Sequence, residues 1–234
     1  MKLTLAIDTA TDQVGVALGG PDGVVAELSL RQGRRHGEVL APAIESVARL
    51  AGIPLEQLEQ VAVDVGPGLF TGLRVGVATA KALASALNLP VVACTSLDIL
   101  AHPHRRSAGP VASVVDARRG EVFWAMYQPD LEGDAMVQTT EPAVCAPAVL
   151  TAALEQAARE DGAPILVTGD GARRYADQLA AVLGLRMAGP EHDHPSASAL
   201  IALSASRPAL ATDKVTPCYL RGPDVRIGWM RRDG

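Results

Sequence analysis

The sequence predicts an α/β fold built as two related lobes. Two observations carry this reading. Short apolar, strand-like runs alternate with longer stretches of helical periodicity, the pattern of strands joined by packed helices. A local theme also occurs twice: an apolar strand closed by an aspartate, a short polar turn and a second strand begin at Leu3 and again at Val111.

The elements follow in order. Leu3–Ile7 is an apolar strand ending in Asp8. Gln13–Leu18 and Val24–Leu30 form a hairpin around Gly19-Gly20-Pro21-Asp22-Gly23, whose glycines and proline supply turn dihedrals. His36–Ala51 repeats Val39, Leu40, Ala43, Ile44, Val47, Ala48 and Ala51 at helical spacing; Gly52 stops it and Pro54 follows. Val61–Val65 is a strand, and Gly66-Pro67-Gly68 turns the chain, with Thr71 the predicted N-cap of a helix over Thr71–Leu87. Gly72 and Gly76 share one face of that helix. Each costs about 1 kcal/mol relative to Ala, so either a backbone or a ligand should approach that face closely. Backbone N–H groups at such a strand-turn-helix can hold an anion. Val91–Thr95 completes the first half, and the stretch from His102 to Pro110 reads as a linker.

The second half adds strands Val111–Val115 and Glu121–Tyr127, a helix over Ala146–Arg159, a strand at Ile165–Thr168, and helices over Ala172–Leu183 and Ser196–Ser204. Lobe boundaries fall at residues 1–104 and 105–204, with the tail from about 205 packing back on the first lobe.

Composition narrows the function. With 48% hydrophobic and 20% charged residues the chain is globular, and with 3% aromatics its core must be filled by Ala, Val and Leu. A net charge of −5 and a pI near 5.5 argue against autonomous nucleic-acid binding, which needs a basic face. Cys94, Cys145 and Cys218 are odd in number and widely spaced, which excludes a disulfide framework and a Cys-rich zinc site and points to a reduced, cytoplasmic setting. No apolar run is long enough to span a bilayer, and no secretory leader is expected.

Four segments together resemble the TsaB (YeaZ) family: Asp8-Thr9-Ala10, Gly66-Pro67-Gly68-Leu69-Phe70-Thr71-Gly72-Leu73-Arg74, Asp116-Ala117-Arg118-Arg119-Gly120-Glu121-Val122 and Tyr219-Leu220-Arg221. They run in order along nearly the whole chain, and the glycine-rich segment is the most specific. The resemblance implies a two-lobed actin-like, sugar-kinase and Hsp70-type (ASKHA) fold, each lobe RNase H-like with a mixed sheet flanked by helices. It implies a non-catalytic scaffold in the synthesis of N6-threonylcarbamoyladenosine (t6A) at position 37 of tRNAs reading ANN codons. Such a subunit, inactive alone, joins the catalytic paralogue TsaD and enables the ATPase TsaE to bind, with tRNA met only through the complex. The sister transferase carries a metal-binding His-x-x-x-His after the fifth strand; here Ser96 and Leu100 stand in its place, which argues against transferase chemistry in this chain.

The same resemblance sets the candidate sites. Asp8, Thr9, Thr11, Gly66, Gly68, Thr71 and Gly72 are the phosphate or nucleotide set, with ATP or ADP and Mg expected at low affinity or only within the complex. Asp8 can equally cap its own turn. His36, Leu40, Ile44, Val47, Leu73, Gly76 and Ala80 are the partner-interface set, serving TsaD or, in its absence, a homodimer. An ordinary core-facing role for these helices is the competing reading.

Other constellations are weaker. His102 with His104, and Glu191-His192-Asp193-His194, have some metal-ligand character but read as linker and surface turn. Asp116 with Glu121 reads as a hairpin pair rather than an acid–base dyad. Thr168-Gly169-Asp170-Gly171 is the nearest approach to an adenosine loop. Five arginine pairs (Arg34-Arg35, Arg105-Arg106, Arg118-Arg119, Arg173-Arg174 and Arg231-Arg232) read mainly as solvated surface, a few as guides for tRNA. No Walker motif and no Gly-x-Ser-x-Gly elbow is present. The alternatives are a weak phosphotransferase or ATPase of the same fold, or a protease acting on TsaD through Ser96 or Ser113.

Overall fold

The computed structural model describes residues 2–221 except 21, 32, 34, 131 and 133. Pro21 of the predicted hairpin turn and Arg34, Arg231 and Arg232 of the arginine pairs lie outside the described residues. The first sheet has the order β3-β2-β1-β4-β5, from β1 (Thr4–Asp8), β2 (Gln13–Gly20), β3 (Gly23–Arg31), β4 (Gln60–Asp64) and β5 (Val91–Cys94). β1 pairs antiparallel with β2 and parallel with β4. Because β1, β2 and β4 lie inside the sheet, their residues are almost all buried, whereas edge strand β3 alternates between half-buried and exposed. Helices α1 (His36–Ala51) and α2 (Phe70–Leu87) join the successive strands and pack on this sheet through Leu40, Ile44, Val47, Val77, Ala80 and Ala84.

The second sheet repeats the scheme as β11-β10-β6-β7-β8, with β9 also on β7. Its strands are β6 (Val111–Arg118), β7 (Glu121–Asp130), β8 (Ala135–Gln138), β9 (Ala143–Cys145), β10 (Leu166–Thr168) and β11 (Arg186–Met187). β6 pairs antiparallel with β7 and parallel with β10, as β1 does with β2 and β4. α3 (Ser96–Ala101) leads from the first sheet to the second and is buried throughout. α4 (Pro147–Asp161) covers the second sheet through Leu150 and Leu154.

Three predicted boundaries move. α2 begins at Phe70, one residue before the predicted start; Leu69 occupies the N-cap with no side-chain bond, and Thr71 lies exposed on the helix surface. The single helix predicted over Ala172–Leu183 is two short pieces, α5 (Asp170–Arg174) and α6 (Ala176–Leu179). Tyr175 leaves helical dihedrals (φ −110°, ψ 26°), and Ala172 and Leu179 on either side of this break are both fully buried in the second core. The return to the first lobe starts before residue 205: α7 (Ala197–Ser204) buries Ala197, Leu200 and Ile201 against Ala6, Ala17, Ala62 and Val92 of the first sheet. Among the described residues no helix is long and apolar enough to cross a membrane.

Candidate functional site

The glycine segment and the β1–β2 turn form one packed unit. A Cβ on Gly68 would overlap the Ala10 carbonyl oxygen, one on Gly72 the Thr9 carbonyl oxygen, and one on Gly76 the Thr9 hydroxyl. The glycines thus let a backbone turn lie directly on α2. Polar groups close the same contact: Leu69 N donates to Ala10 O (2.7 Å) and the Thr9 hydroxyl to Gly72 O (2.8 Å). Gly66 adopts φ +98°, which only glycine takes without strain, and delivers its N–H to Asp64 Oδ1 (2.7 Å). Thr11 Oγ1 accepts from Gln13 N and meets His194 Nδ1 (3.1 Å), while His36 Nε2–H donates to Thr11 O (2.7 Å). Of the groups expected to face a phosphate, the Thr9 and Thr11 hydroxyls and the Gly66 amide are engaged by the chain itself, and Thr71 is exposed on the helix surface. The cradle in this conformation is filled by Thr9 and Ala10, so the residues present do not fit a nucleotide phosphate there.

Behind the turn lies a feature that sequence reasoning did not assemble: two fully buried carboxyls, Asp8 at the end of β1 and Asp64 at the end of β4. Asp8 Oδ1 accepts from Ala10 N (2.9 Å); Asp64 Oδ1 accepts from Gly66 N and from Ser96 Oγ (2.8 Å). Burial, and then the Asp64 charge, holds Asp8 well above the usual carboxylate range. Burial likewise pushes Asp64 up to about 6, against the pull of the Gly66 N–H and the Ser96 hydroxyl. Both carboxyls are thus held toward their protonated forms. Asp8 Oδ2 and Asp64 Oδ2 are buried without a hydrogen-bond partner among the described residues.

The second lobe carries the counterpart with opposite electrostatics. Asp116, at the corresponding point of β6, accepts from Arg118 N (2.9 Å), matching the Asp8 bond to Ala10. Its other oxygen meets the guanidinium groups of Arg118 (3.0 Å) and Arg174 (3.4 Å). Asp170 follows β10 as Asp64 ends β4; its Oδ1 accepts from Asp116 N (2.9 Å), and burial pushes it up to about 6. Gly169 has φ +107° and lies directly on the Val114 carbonyl, so Thr168–Gly171 is a packed strand-to-helix turn. Glu121 pairs with Arg221 of the tail rather than with Asp116.

The histidines converge between the lobes. The His104 and His192 rings meet edge-on at 4.6 Å, and His104 Nε2 reaches Thr168 Oγ1 (3.2 Å). Burial and the neighbouring His192 push His104 down to about 4, and burial also lowers His102 and His194. Among the described residues no group of three or more His, Cys, Asp or Glu side chains could hold a metal ion. Ser96 reaches the Asp64 carboxylate, and Ser113 Oγ is buried without a hydrogen-bond partner. Cys94 is buried, and burial pushes its thiol up to about 12.

The seven residues assigned to a partner surface face inward: His36, Leu40, Ile44, Val47, Leu73, Gly76 and Ala80 are all buried within the first lobe. Their periodicity marks the side on which the helices meet the sheet, and the side left exposed is the opposite one. There α1 exposes Ala41, Pro42 and Glu45, and α2 exposes Phe70, Thr71, Arg74, Ala78 and Ala82.

Two sheets of this order, tied by α3 and α7, define the class of two-lobed actin-like proteins. Within it, residues 17–198 match the family described as "TsaD: tRNA N6-adenosine threonylcarbamoyltransferase". The chain is 30% identical to the tRNA threonylcarbamoyladenosine biosynthesis protein TsaB of Bacillus subtilis (strain 168), over 97% of both chains. It is 31% identical to TsaB of Escherichia coli (strain K12), over 98% of both. The solved structure of YeaZ from Pseudomonas aeruginosa superposes with a TM-score of 0.79 at 30% identity, covering 94% of this chain and all of that one. The chain belongs to the TsaB (YeaZ) family.

Proposed function

We propose that this chain is a non-catalytic subunit of the machinery that installs t6A on tRNA, pairing with a TsaD-type transferase through the outward side of α1 and α2 and helping the TsaE ATPase to dock. The observation that carries the pairing is the surface of α2. The helix has 18 residues, and its two charged side chains are both held by the chain: Arg74 Nε donates to Tyr219 OH (3.1 Å) and Lys81 Nζ to Val215 O (3.1 Å). What α2 offers outward is mainly Thr71, Ala78, Ala82 and Ala86, small side chains that let another helix approach closely. A solvated helix normally carries charge on that side. The filled phosphate cradle supports a subunit without its own phosphoryl chemistry. Ser96 and Leu100 at the positions of the sister's metal ligands support the same reading for transferase chemistry. Nucleotide contact and tRNA contact are accordingly assigned to the assembled complex.

The test is threonylcarbamoyl transfer to tRNA in a mixture of TsaD, TsaE and the threonylcarbamoyl-AMP synthase, with and without this chain. Transfer that depends on the chain and survives Asp8→Ala supports a scaffold. Transfer lost with Asp8→Ala, while TsaD still binds, would put the carboxyl pair into the mechanism. Transfer indifferent to the chain would end the proposal.

A further inference from the structure

On the exposed side of α2 one cluster is built differently from the small residues around it. Phe70 and Tyr219 are 42% and 44% exposed, large aromatic surfaces in a chain with few aromatics. Their rings lie 5.3 Å apart at 33°. The Arg74 guanidinium sits 3.9 Å above the Phe70 ring, and its Nε donates to Tyr219 OH (3.1 Å). Phe70 and Arg74 are one helical turn apart, so they share a face with Ala78 and Ala82. Tyr219 is delivered by the tail, which is pinned to the first lobe by Cys218 N donating to Val65 O (2.6 Å). Two residues further, Arg221 grips Glu121 and the Ala117 carbonyl of the second lobe.

Two aromatic side chains, one from α2 and one from the tail, thus hold one arginine in place. Among the described residues these two contacts, a ring face and a phenol oxygen, are what Arg74 makes, and neither neutralises it. A protein covering the α1–α2 surface would bury that charge, and a buried charge without a counter-ion is costly. A carboxylate fits the fork in bidentate fashion. The surroundings favour a protein over RNA: Phe70, Tyr219 and the exposed Ala78 and Ala82 beside Arg74 add no positive charge, and the chain as a whole is acidic at −5.

Resting on the reading above, we propose that Phe70, Arg74 and Tyr219 form a preset anchor for an Asp or Glu carboxylate of the transferase subunit that covers α1 and α2. The aromatic rings fix the guanidinium before the partner arrives, so binding orders little further side-chain freedom. Because Tyr219 and Arg221 belong to one strap, the anchor also ties the partner surface to the second lobe.

The test is titration of the TsaD homologue from the same organism into the full chain by calorimetry. Three variants are used, each first checked for an unchanged melting temperature: Arg74→Gln, Arg74→Lys and Ala82→Arg. Arg74→Gln is expected to weaken binding roughly 10- to 100-fold, the range for a charge-assisted hydrogen bond. Arg74→Lys, which keeps the charge but loses the fork, should recover only part of it. Should Arg74→Gln fail to fold, the Lys variant alone decides: an affinity equal to wild type refutes the anchor. If Ala82→Arg abolishes binding while Arg74→Gln does not alter it, the surface assignment stands and the anchor is wrong. If Ala82→Arg binds as wild type does, the surface assignment itself fails. If Arg74→Gln spares TsaD binding but weakens capture of tRNA by the complex, the guanidinium meets RNA phosphate instead, and the proposal is overturned.

Discussion

Gly72→Ala decides between the two roles open to the glycine segment. In a solvated helix this change stabilises by about 1 kcal/mol, because Ala is the better helix former. Here the new methyl would overlap the Thr9 carbonyl oxygen, a backbone atom that cannot rotate aside. Accommodation requires α2 or the β1–β2 turn to shift, and that shift stretches the Thr9 hydroxyl bond to Gly72 O (2.8 Å) and the Leu69 bond to Ala10 O (2.7 Å). The cost sits at the upper end of overpacking, about 3 kcal/mol. Set against the propensity gain, the net loss is about 2 kcal/mol, and the melting temperature should fall by about 4–8 °C. Gly37→Ala is the internal control, since its Cβ would meet only Val75 Cγ2 at 4.0 Å. That variant should be stabilised by up to about 1 kcal/mol. Urea and thermal unfolding of both measure the difference. If Gly72→Ala is as stable as wild type, the turn does not rest on α2 and the glycines are free to serve a ligand.

Two further changes probe the carboxyl pair. Asp8 and Asp64 both titrate above their unfolded value of 3.8, so the associated stability is complete below about pH 4 and falls as pH rises, the Asp64 part being lost through about pH 6. Asp8→Asn removes one of the two titrating groups and should flatten the fall of stability with pH above about pH 4 in urea titrations; an unaltered slope would show that Asp8 is not held above its ordinary value. Ser96→Ala removes a buried donor to Asp64 (2.8 Å) and should cost about 1–2 kcal/mol at pH 7.5, less at pH 5 where the carboxylate is protonated; equal loss at both values would refute the assignment.

The architecture was legible because its signals are local and repeated. Each first strand closes on an aspartate, and the hydrophobic period switches cleanly between strand and helix. The site was less legible because its parts are brought together by contacts distant in sequence. Asp8 and Asp64 are joined only through the parallel pairing of β1 with β4. A trace of it was present, since Asp64 and Asp170 both follow the strand paired in parallel with their lobe's first strand. The helix stripes show the period of each helix without showing what lies on its other side. Leu40, Ile44 and Val47 are apolar because they meet the sheet, and periodicity cannot report what covers the other side. α5 and α6 were read as one helix because Tyr175 fits a helical pattern; its break follows from tertiary packing of Ala172 and Leu179.

The two lobes share a backbone scheme, yet their aspartate pairs have separated in charge. Asp116 is buried, and its carboxylate meets the guanidinium groups of Arg118 and Arg174. Asp8 has no such cations and faces a second acid in a fully buried site. Where like carboxyls meet without a cation, one takes a proton, and the first-lobe turn becomes a structural joint closed by Thr9, Ala10 and the glycines of α2. That joint fixes the register of α2 against β1 and β4. The same register sets which side chains α2 turns outward, so the close packing of the turn on the glycines and the small-residue outward side of α2 have one structural cause. A variant that reopened the joint would therefore be expected to disturb α2 as a surface before it gained any capacity to hold an anion.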